Sequence, residues 1–533
     1  MPGAYNALGF PLLTIMLFIP AAGGVVCWAL EGERQVRIVA ALTVVLEFAL
    51  AMFLLAEFEI RPHGSAVWMF QFSDRTDWIS TLGINYWVGV DGISVFLVGL
   101  TTLITAVAVF ASMFMIADRL KMFTILTLFL ETAILGVFMS VNLFLFFVFW
   151  EAMLIPAYFL LGIWGEERRV YATMKFVIYT VAGSFLMLVG IFYLWSQVGT
   201  LDMAGPGGLL AHPISEPAQT WVFLAFGIAF AIKLPLFPFH TWAPTAYAES
   251  PIPVVLLIAG VLSKAGAFGF LRYCLPLFPV ASRHFSGSVS VLAVIGMIYA
   301  AGLALVQTDI KRIVAYASIS HMNLIALGIF ALNATGFDGS VLQMINHSVI
   351  ICGLFLAVGY IAARTGTRML PNLGGLGTNK PFLMWMFFVF VLGGLDLPGL
   401  GSFAGEFLVL LGAFRANVWY SSVAALTVIL AAWYMIRFFQ DTMNGPVVAA
   451  PAAVAEAGAE DLSRTVYEYP VRRRLLSGDI QLREALLFIP LMILILYIGI
   501  QPDPLTTRMN STTNTVARVV HPGAPAGAVG GAR

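Results

Sequence analysis

The stretch Ile232–Trp242, IKLPLFPFHTW, closes an apolar run long enough to cross a membrane, yet it holds a lysine, two prolines and a histidine. Lipid penalises every one of them. Pro235 and Pro238 each remove a backbone donor and clash with the preceding turn, so the helix is expected to break beside Lys233. Broken backbone at membrane depth is tolerated only where it is buried in protein or lines a wet cavity. Lys233 then sits at an opening where it can be hydrated and change its charge. The stretch therefore demands an all-α polytopic membrane protein with an interrupted span.

The rest of the chain agrees. It has 533 residues, 60% hydrophobic and 11% charged, and a mean hydropathy of +0.92. A soluble chain of this length needs far more polar surface. The net charge is zero and no large basic tract occurs, so nothing supports a nucleic-acid partner. Cys27, Cys274 and Cys352 are scattered through apolar spans without CxxC spacing. They read as small core residues rather than as a metal site or a disulfide framework. No basic region precedes the first span, so a secretory signal is not expected.

At roughly twenty apolar residues per span, about fourteen helices are expected. They start near Leu8, Val36, Ile93, Met122, Leu143, Ala172, Trp221, Pro253, Val289, Ile310, Val341, Phe382, Trp419 and Ala485. Arg34, Arg37, Arg119, Lys121, Arg168, Arg169, Lys311, Arg312, Arg364, Arg368, Lys380 and Arg472–Arg474 all fall on one side. The other side holds fewer basic residues, among them Arg61, Arg75, Arg283 and Arg415. The positive-inside rule then puts both termini outside the cytoplasm. Ser73–Gly92 on that outer side is expected to form an interfacial cap, as a hairpin or a short helix. The tail after Gln501 is rich in Gly, Ala and Pro and is expected to be poorly ordered.

A charge near the bilayer centre is expensive and commonly marks an ion path. Six positions qualify: Glu151 in FFVFWEAMLIPAYFL, Lys233, Lys264 in VLLIAGVLSKAGAFGFL, His321, His347 in LQMINHSVIICGLFL, and Glu406 in GGLDLPGLGSFAGEFLVLLGAF. Glu131, in LTLFLETAILGVF, is a weaker seventh. Any one of them alone could be a satisfied structural group or snorkel to the interface. A series of acids, bases and histidines in consecutive spans is what a proton relay needs. A Glu–Lys pair whose separation changes can bind or release a proton without a redox centre. The break itself is expected to recur: Lys233-Leu-Pro235 in the seventh span matches Asp396-Leu-Pro398 in the twelfth. Five spans separate the two, which turns the second copy upside down, as in transporters built from inverted repeats.

DIKRIVAYASISHMN (Asp309–Asn323), FWEAMLIPAYFL (Phe149–Leu160) and LPLFPFHTWAPTAYAESPIPV (Leu234–Val254) closely resemble the antiporter-like membrane subunits of respiratory complex I. The resemblance runs from about Leu8 to Ile500. It implies inverted repeats of five helices, with residues 118–280 and 281–441 as the two copies. Residues 1–117 would be an N-terminal three-helix unit, 442–483 a cytoplasmic insertion, and 484–533 the last span and tail. Glu406 stands where the L- and N-type chains and the Mrp antiporter relatives are expected to carry lysine. The L-type lateral helix is also not expected after Gln501.

The resemblance further implies that Glu151 and Lys233 are a coupling pair, Lys264 the central lysine, and His321 and His347 the link toward the second repeat. Glu406 would be the terminal carboxylate. His240 either assists proton uptake or stabilises the break. Asp309, Lys311 and Arg312 serve either helix-end pairing or chemistry, and His63, His212 and His284 are expected in loops without a role. The chain itself would bind no cofactor; NADH, FMN, iron–sulfur clusters and quinone are expected in partner subunits. The expected partners are the related chains L and N and membrane lipids, in a bacterial cytoplasmic membrane with both termini periplasmic.

Three functions compete: a proton-translocating subunit of NADH:quinone oxidoreductase, an Mrp-type Na⁺/H⁺ antiporter subunit, and a scaffold that moves nothing. Glu406 argues against the second. The buried lysines argue against the third, because leucine costs less there.

Overall fold

A computed structural model describes residues 4–6, 8–60, 70–205, 207–447 and 478–521. Arg61, His63 and Arg472–Arg474, and most of the expected cytoplasmic insertion, lie outside the described residues. Helices α1 (Leu12–Ala29), α2 (Glu33–Glu57), α3 (Ser94–Met115) and α4 (Leu120–Met139) come first. The fifth span is α5 (Leu143–Ala152) and α6 (Leu154–Trp164), followed by α7 (Arg169–Val198), α8 (Glu216–Lys233) and α9 (Ala243–Glu249). Next come α10 (Ile252–Leu277), α11 (Pro279–Val306), α12 (Ile310–Phe330) and α13 (Ala334–Thr365). The last group is α14 (Pro381–Gly394), α15 (Gly401–Ala416), α16 (Val418–Met443), α17 (Leu482–Ile500) and α18 (Asp503–Val520).

Among the described residues, 12 helices are long and apolar enough to cross a membrane. Two expected spans are outside that set, the ones split by a non-helical loop, α8–α9 and α14–α15. The helices with an outward face carry apolar side chains there, such as Ile178 and Phe185 on α7. In contrast, the best apolar windows of α10 and α13 are buried along their whole length. A helix that is apolar all round and enclosed all round belongs at the centre of a bundle. Lys264 lies on the first of these two helices and His347 on the second.

One face is capped by a hairpin of β2 (Phe70–Ile79) and β3 (Ile84–Val90), with β1 (Ala4–Tyr5) pairing in parallel on its edge. The expected cap is therefore a hairpin. Gly83 turns it with φ 62°, and a Cβ there would lie 2.8 Å from the Gly199 carbonyl oxygen, so glycine is required twice over. Asp202 ties the cap to the helices. It accepts from Arg75 at 2.7 Å, Asn85 at 2.6 Å and Asn142 at 2.8 Å, and Asn142 in turn caps α5.

The expectation of a poorly ordered tail after Gln501 is wrong for residues 503–520. They form α18, whose Leu505, Met509, Val516 and Val520 are buried. Those positions recur near helical period, a signal that the threonine-rich composition obscures. Thr513 donates to Asp338 at 2.6 Å, the Gly92 amide donates to Thr512 at 3.0 Å, and Arg283 donates to the Val520 carbonyl. His284 also departs from expectation, since it lies inside α11, which begins ten residues before the apolar run does.

Asp91 and Arg272, both fully enclosed, form an ion pair of 2.9 Å. Asp91 also accepts the Ile93 and Ser94 amides at the start of α3, so the pair fastens the first helices to α10. Removing one member of a buried pair leaves the other charge uncompensated, at a cost of about 3–5 kcal/mol. Asp91→Ala is expected to lower the thermal midpoint of the detergent-solubilised assembly sharply; an unchanged midpoint would show that the pair is not a fastening.

Candidate functional site

Glu151 and Lys233 lie beside interruptions and Lys264 and His347 on the two enclosed helices, whereas half-buried His321 stands on the regular helix α12 and Glu131 on α4. Pro156 cannot donate to the Ala152 carbonyl, and the fifth span is interrupted at Met153, two residues after Glu151. α8 ends at Lys233. The Lys233 ammonium lies over the Trp150 ring at 5.1 Å and near the Phe176 ring at 5.8 Å, a cation–π setting. Glu151 acts on it electrostatically, yet no hydrogen bond or ion pair joins the two among the described residues.

The carbonyls freed at the first break are satisfied by protein. The Leu236 amide reaches back to Ala231 at 2.9 Å, and the Trp242 indole donates to Ile232 at 2.8 Å. Asn323 clamps the loop in both senses, accepting from the Phe237 amide at 3.2 Å and donating to Pro235 at 3.3 Å. His240 follows the break, its ring stacked on Phe237 and edge-on to Tyr299, with Nδ1 unpartnered. Lys175 on α7 acts electrostatically on it.

α10 carries π-helical turns at Ile258–Leu262 and Phe270–Cys274, on either side of Lys264. Such wide turns are frequent at functional positions. The Lys264 ammonium donates to the Ala259 carbonyl at 2.6 Å and lies 2.8 Å from His347 Nδ1. The rings of His347 and His321 are 5.8 Å apart. His347 Nε2 has no partner. Beyond the two rings lies a cavity of about 10 Å³ lined by His321, His347, Gln343, Ser402, Gly393 and Gly394. That volume suits about one water.

The cavity ends at the second break. There the Leu397 amide reaches back to Leu392 at 3.3 Å, Ser402 donates to Gly393 at 2.5 Å, and Asn346 donates to Gly401 at 2.7 Å. This pattern corrects the sequence match of Lys233-Leu-Pro235 with Asp396-Leu-Pro398. The five-residue back-bonds, Leu236 to Ala231 and Leu397 to Leu392, put Gly394 opposite Lys233 and Asp396 opposite Pro235. Each prolyl dipeptide marks a break, but the two prolines stand at different places in it.

Glu406 is one turn beyond Ser402, and Asp396 interacts with it. Glu131 stands apart from this line, beside Glu47 and Thr105 among the first helices. Asp309 and Lys311 take part in helix-end pairing. Asp309 caps α12 and pairs with Arg368 at 2.8 Å; Lys311 pairs with Glu166 at 2.6 Å, and Arg368 also binds Glu166. Burial pushes the Asp309 carboxyl up from its ordinary value despite Arg368 beside it. Asn323, Trp242, Gln343, Asn346 and Lys175 were not singled out from the sequence. Asn323 was the nearest to legible, two residues after His321 in the quoted motif.

A family model described as NADH:quinone oxidoreductase/Mrp antiporter, transmembrane, matches residues 140–431. NADH-quinone oxidoreductase subunit M of Rickettsia prowazekii is 35% identical over 503 residues, covering 93% of this chain and 96% of that protein. The chain belongs to this NADH:quinone oxidoreductase/Mrp antiporter family. A chain of respiratory complex I from Thermus thermophilus with bound NADH superposes with a TM-score of 0.82 at 29% identity, covering 95% of this chain and 99% of that one. A chain of the Mrp complex from Dietzia sp. gives 0.79 at 20% identity, covering 96% and 98%, a likeness of fold alone. Within the family this is a complex I-type membrane subunit, part of an NADH–quinone oxidoreductase complex, and its neighbours are membrane subunits.

α10 approaches the first break through Gly266, where a Cβ would lie 2.6 Å from both the Leu234 nitrogen and the Phe230 carbonyl oxygen. Gly266→Ala must push that backbone away, an overpacking cost of about 1–3 kcal/mol. A lower thermal midpoint together with weakened proton pumping in membrane vesicles is expected. Normal values of both would contradict the contact.

Proposed function

We infer that this chain translocates protons through Glu151, Lys233, Lys264, His321, His347 and Glu406, driven by redox chemistry in partner subunits. The observation that carries the reading is the Lys264–His347 contact of 2.8 Å with a water-sized cavity on its far side. An ammonium donating to Nδ1 puts the single ring proton of the imidazole on Nε2. A proton passed from Nζ to Nδ1 is then matched by release from Nε2 toward water or His321. Histidine suits this exchange because it accepts at one nitrogen and donates at the other.

Lys233 is the switching base. Its ammonium rests on an aromatic face rather than on Glu151, so movement at the break changes how much the carboxylate stabilises the charge. Pro235, Pro238 and Pro398 keep the two breaks open, His240 supports the first, and Glu131 is auxiliary. NADH, FMN, iron–sulfur clusters and quinone belong to partner subunits, so this chain carries no redox catalysis of its own. Chains L and N are its neighbours in a bacterial cytoplasmic membrane, with both termini periplasmic. Residues 118–280 and 281–441 act as the two inverted units. A proton moved against 100 mV needs about 2.3 kcal/mol, which the redox partners supply.

Lys233→Ala and Glu151→Ala are expected to abolish coupled pumping while the complex still assembles. His347→Leu should reduce pumping about tenfold or more, since Lys264 loses its exchange partner. Proton-to-electron stoichiometry in vesicles decides it: a wild-type ratio in these fully assembled variants would refute the assigned roles.

A further inference from the structure

The side chains gathered at the second break are two acids and a phenol. Asp396 lies in the break, three residues after the Gly393 carbonyl that Ser402 holds, and Glu406 is one turn beyond Ser402 on α15, where it interacts with Asp396. Relative exposure is 6% for Asp396 and 5% for Glu406, and one oxygen of each, Oδ1 and Oε2, has no partner. Tyr434 on α16 is 2% exposed. Its hydroxyl has no partner, its neighbour Met435 packs against Gly394 at the break, and both carboxyls act on it electrostatically. Among the described residues no cation pairs with either acid. The other polar groups turned this way are the amides of Gln343 and Asn346 and, across the cavity, His321 and His347.

Two interacting carboxyls in a low-dielectric site without a cation resist being ionised together. We propose that Asp396 and Glu406 form a carboxyl dyad that shares one proton, with the Tyr434 hydroxyl donating to the oxygen that bears the negative charge. The dyad rests on the proposed relay and extends it, making the terminal station a pair rather than Glu406 alone. The shared O–H···O⁻ bond is of the strong, charge-assisted kind. It lets the site take up a second proton from the cavity side and lose it again while one proton always stays behind. Asp396 is suited to its place: its φ is 55°, a left-handed backbone that aspartate, asparagine and glycine tolerate.

Infrared titration of the purified, assembled complex reads protonated carboxyls directly, and subtracting the spectrum of Glu406→Gln isolates the band of this site. Asp396→Asn keeps size and backbone but removes the neighbouring charge, so the affinity of Glu406 for its proton is expected to fall about tenfold or more. Asp396→Gly, equally at ease with the backbone, should give the same fall. Tyr434→Phe should move the titration the other way. An unmoved midpoint in the Asp396 variants overturns the dyad, and if Glu406→Gln has meanwhile lost pumping, the relay stands without it. A moved midpoint beside intact pumping in Glu406→Gln supports the dyad and overturns the relay.

Discussion

The contact between Lys264 and His347 depends on a constraint that shapes the whole molecule: the apolar windows of α10 and α13 are wholly enclosed, so polar side chains there must find their partners within the protein. A lysine on an outer helix could snorkel to the interface. Lys264 cannot, and its ammonium is held by the Ala259 carbonyl and His347 Nδ1. Neither partner is an anion. A cation held by neutral acceptors is weakly stabilised compared with one in a salt bridge, which keeps deprotonation within reach. The structural ion pair of Asp91 and Arg272 shows the contrast. Where a fixed charge serves only to fasten helices, the fold supplies a carboxylate at bonding distance.

The two breaks obey the same economy of partners. A prolyl interruption frees carbonyls that lipid cannot satisfy. At the first break they are met by a neighbouring amide and the Trp242 indole, and at the second by a neighbouring amide and the Ser402 hydroxyl. Because one partner at each break is a side chain beyond it, the Trp242 indole just before α9 and the Ser402 hydroxyl on α15, a shift of the following helix is felt at the break. Asn323 stands two residues from His321 and clamps the loop after Lys233, so one helix holds both the first break and the histidine pair.

Much of this was legible in the sequence. The apolar runs located the spans, the prolines located both breaks, and the charged interruptions picked out Lys264 and His347 before any geometry was known. What escaped were groups whose meaning depends on a partner far along the chain. Asn323, Gln343 and Asn346 are ordinary polar residues until a break lies against them. The tail helix escaped for a related reason: its threonines look like linker, and only packing against α11 and α13 gives its sparse apolar stripe a purpose. The prolines misled in one respect, since identical Leu-Pro dipeptides occupy different places in the two breaks. Backbone hydrogen bonding, not residue identity, sets the equivalence.

The chemical character of the buried groups changes along the chain of contacts. Lysines, with Glu151 acting on the first of them, occupy the first half, imidazoles the middle, and carboxyls with a phenol the second break. A proton arriving at a lysine without an anion creates a charge that the site disfavours, and one leaving a carboxyl pair without a cation does the same. Each end therefore resists charging, but with opposite sign. Charge at one end lowers the cost of opposite charge at the other, over a path of low dielectric in which Coulomb coupling reaches further than in water. In the proposed relay, electrostatic coupling of the two ends then follows from side-chain types alone, and the histidines between them need only pass the proton on, not store it.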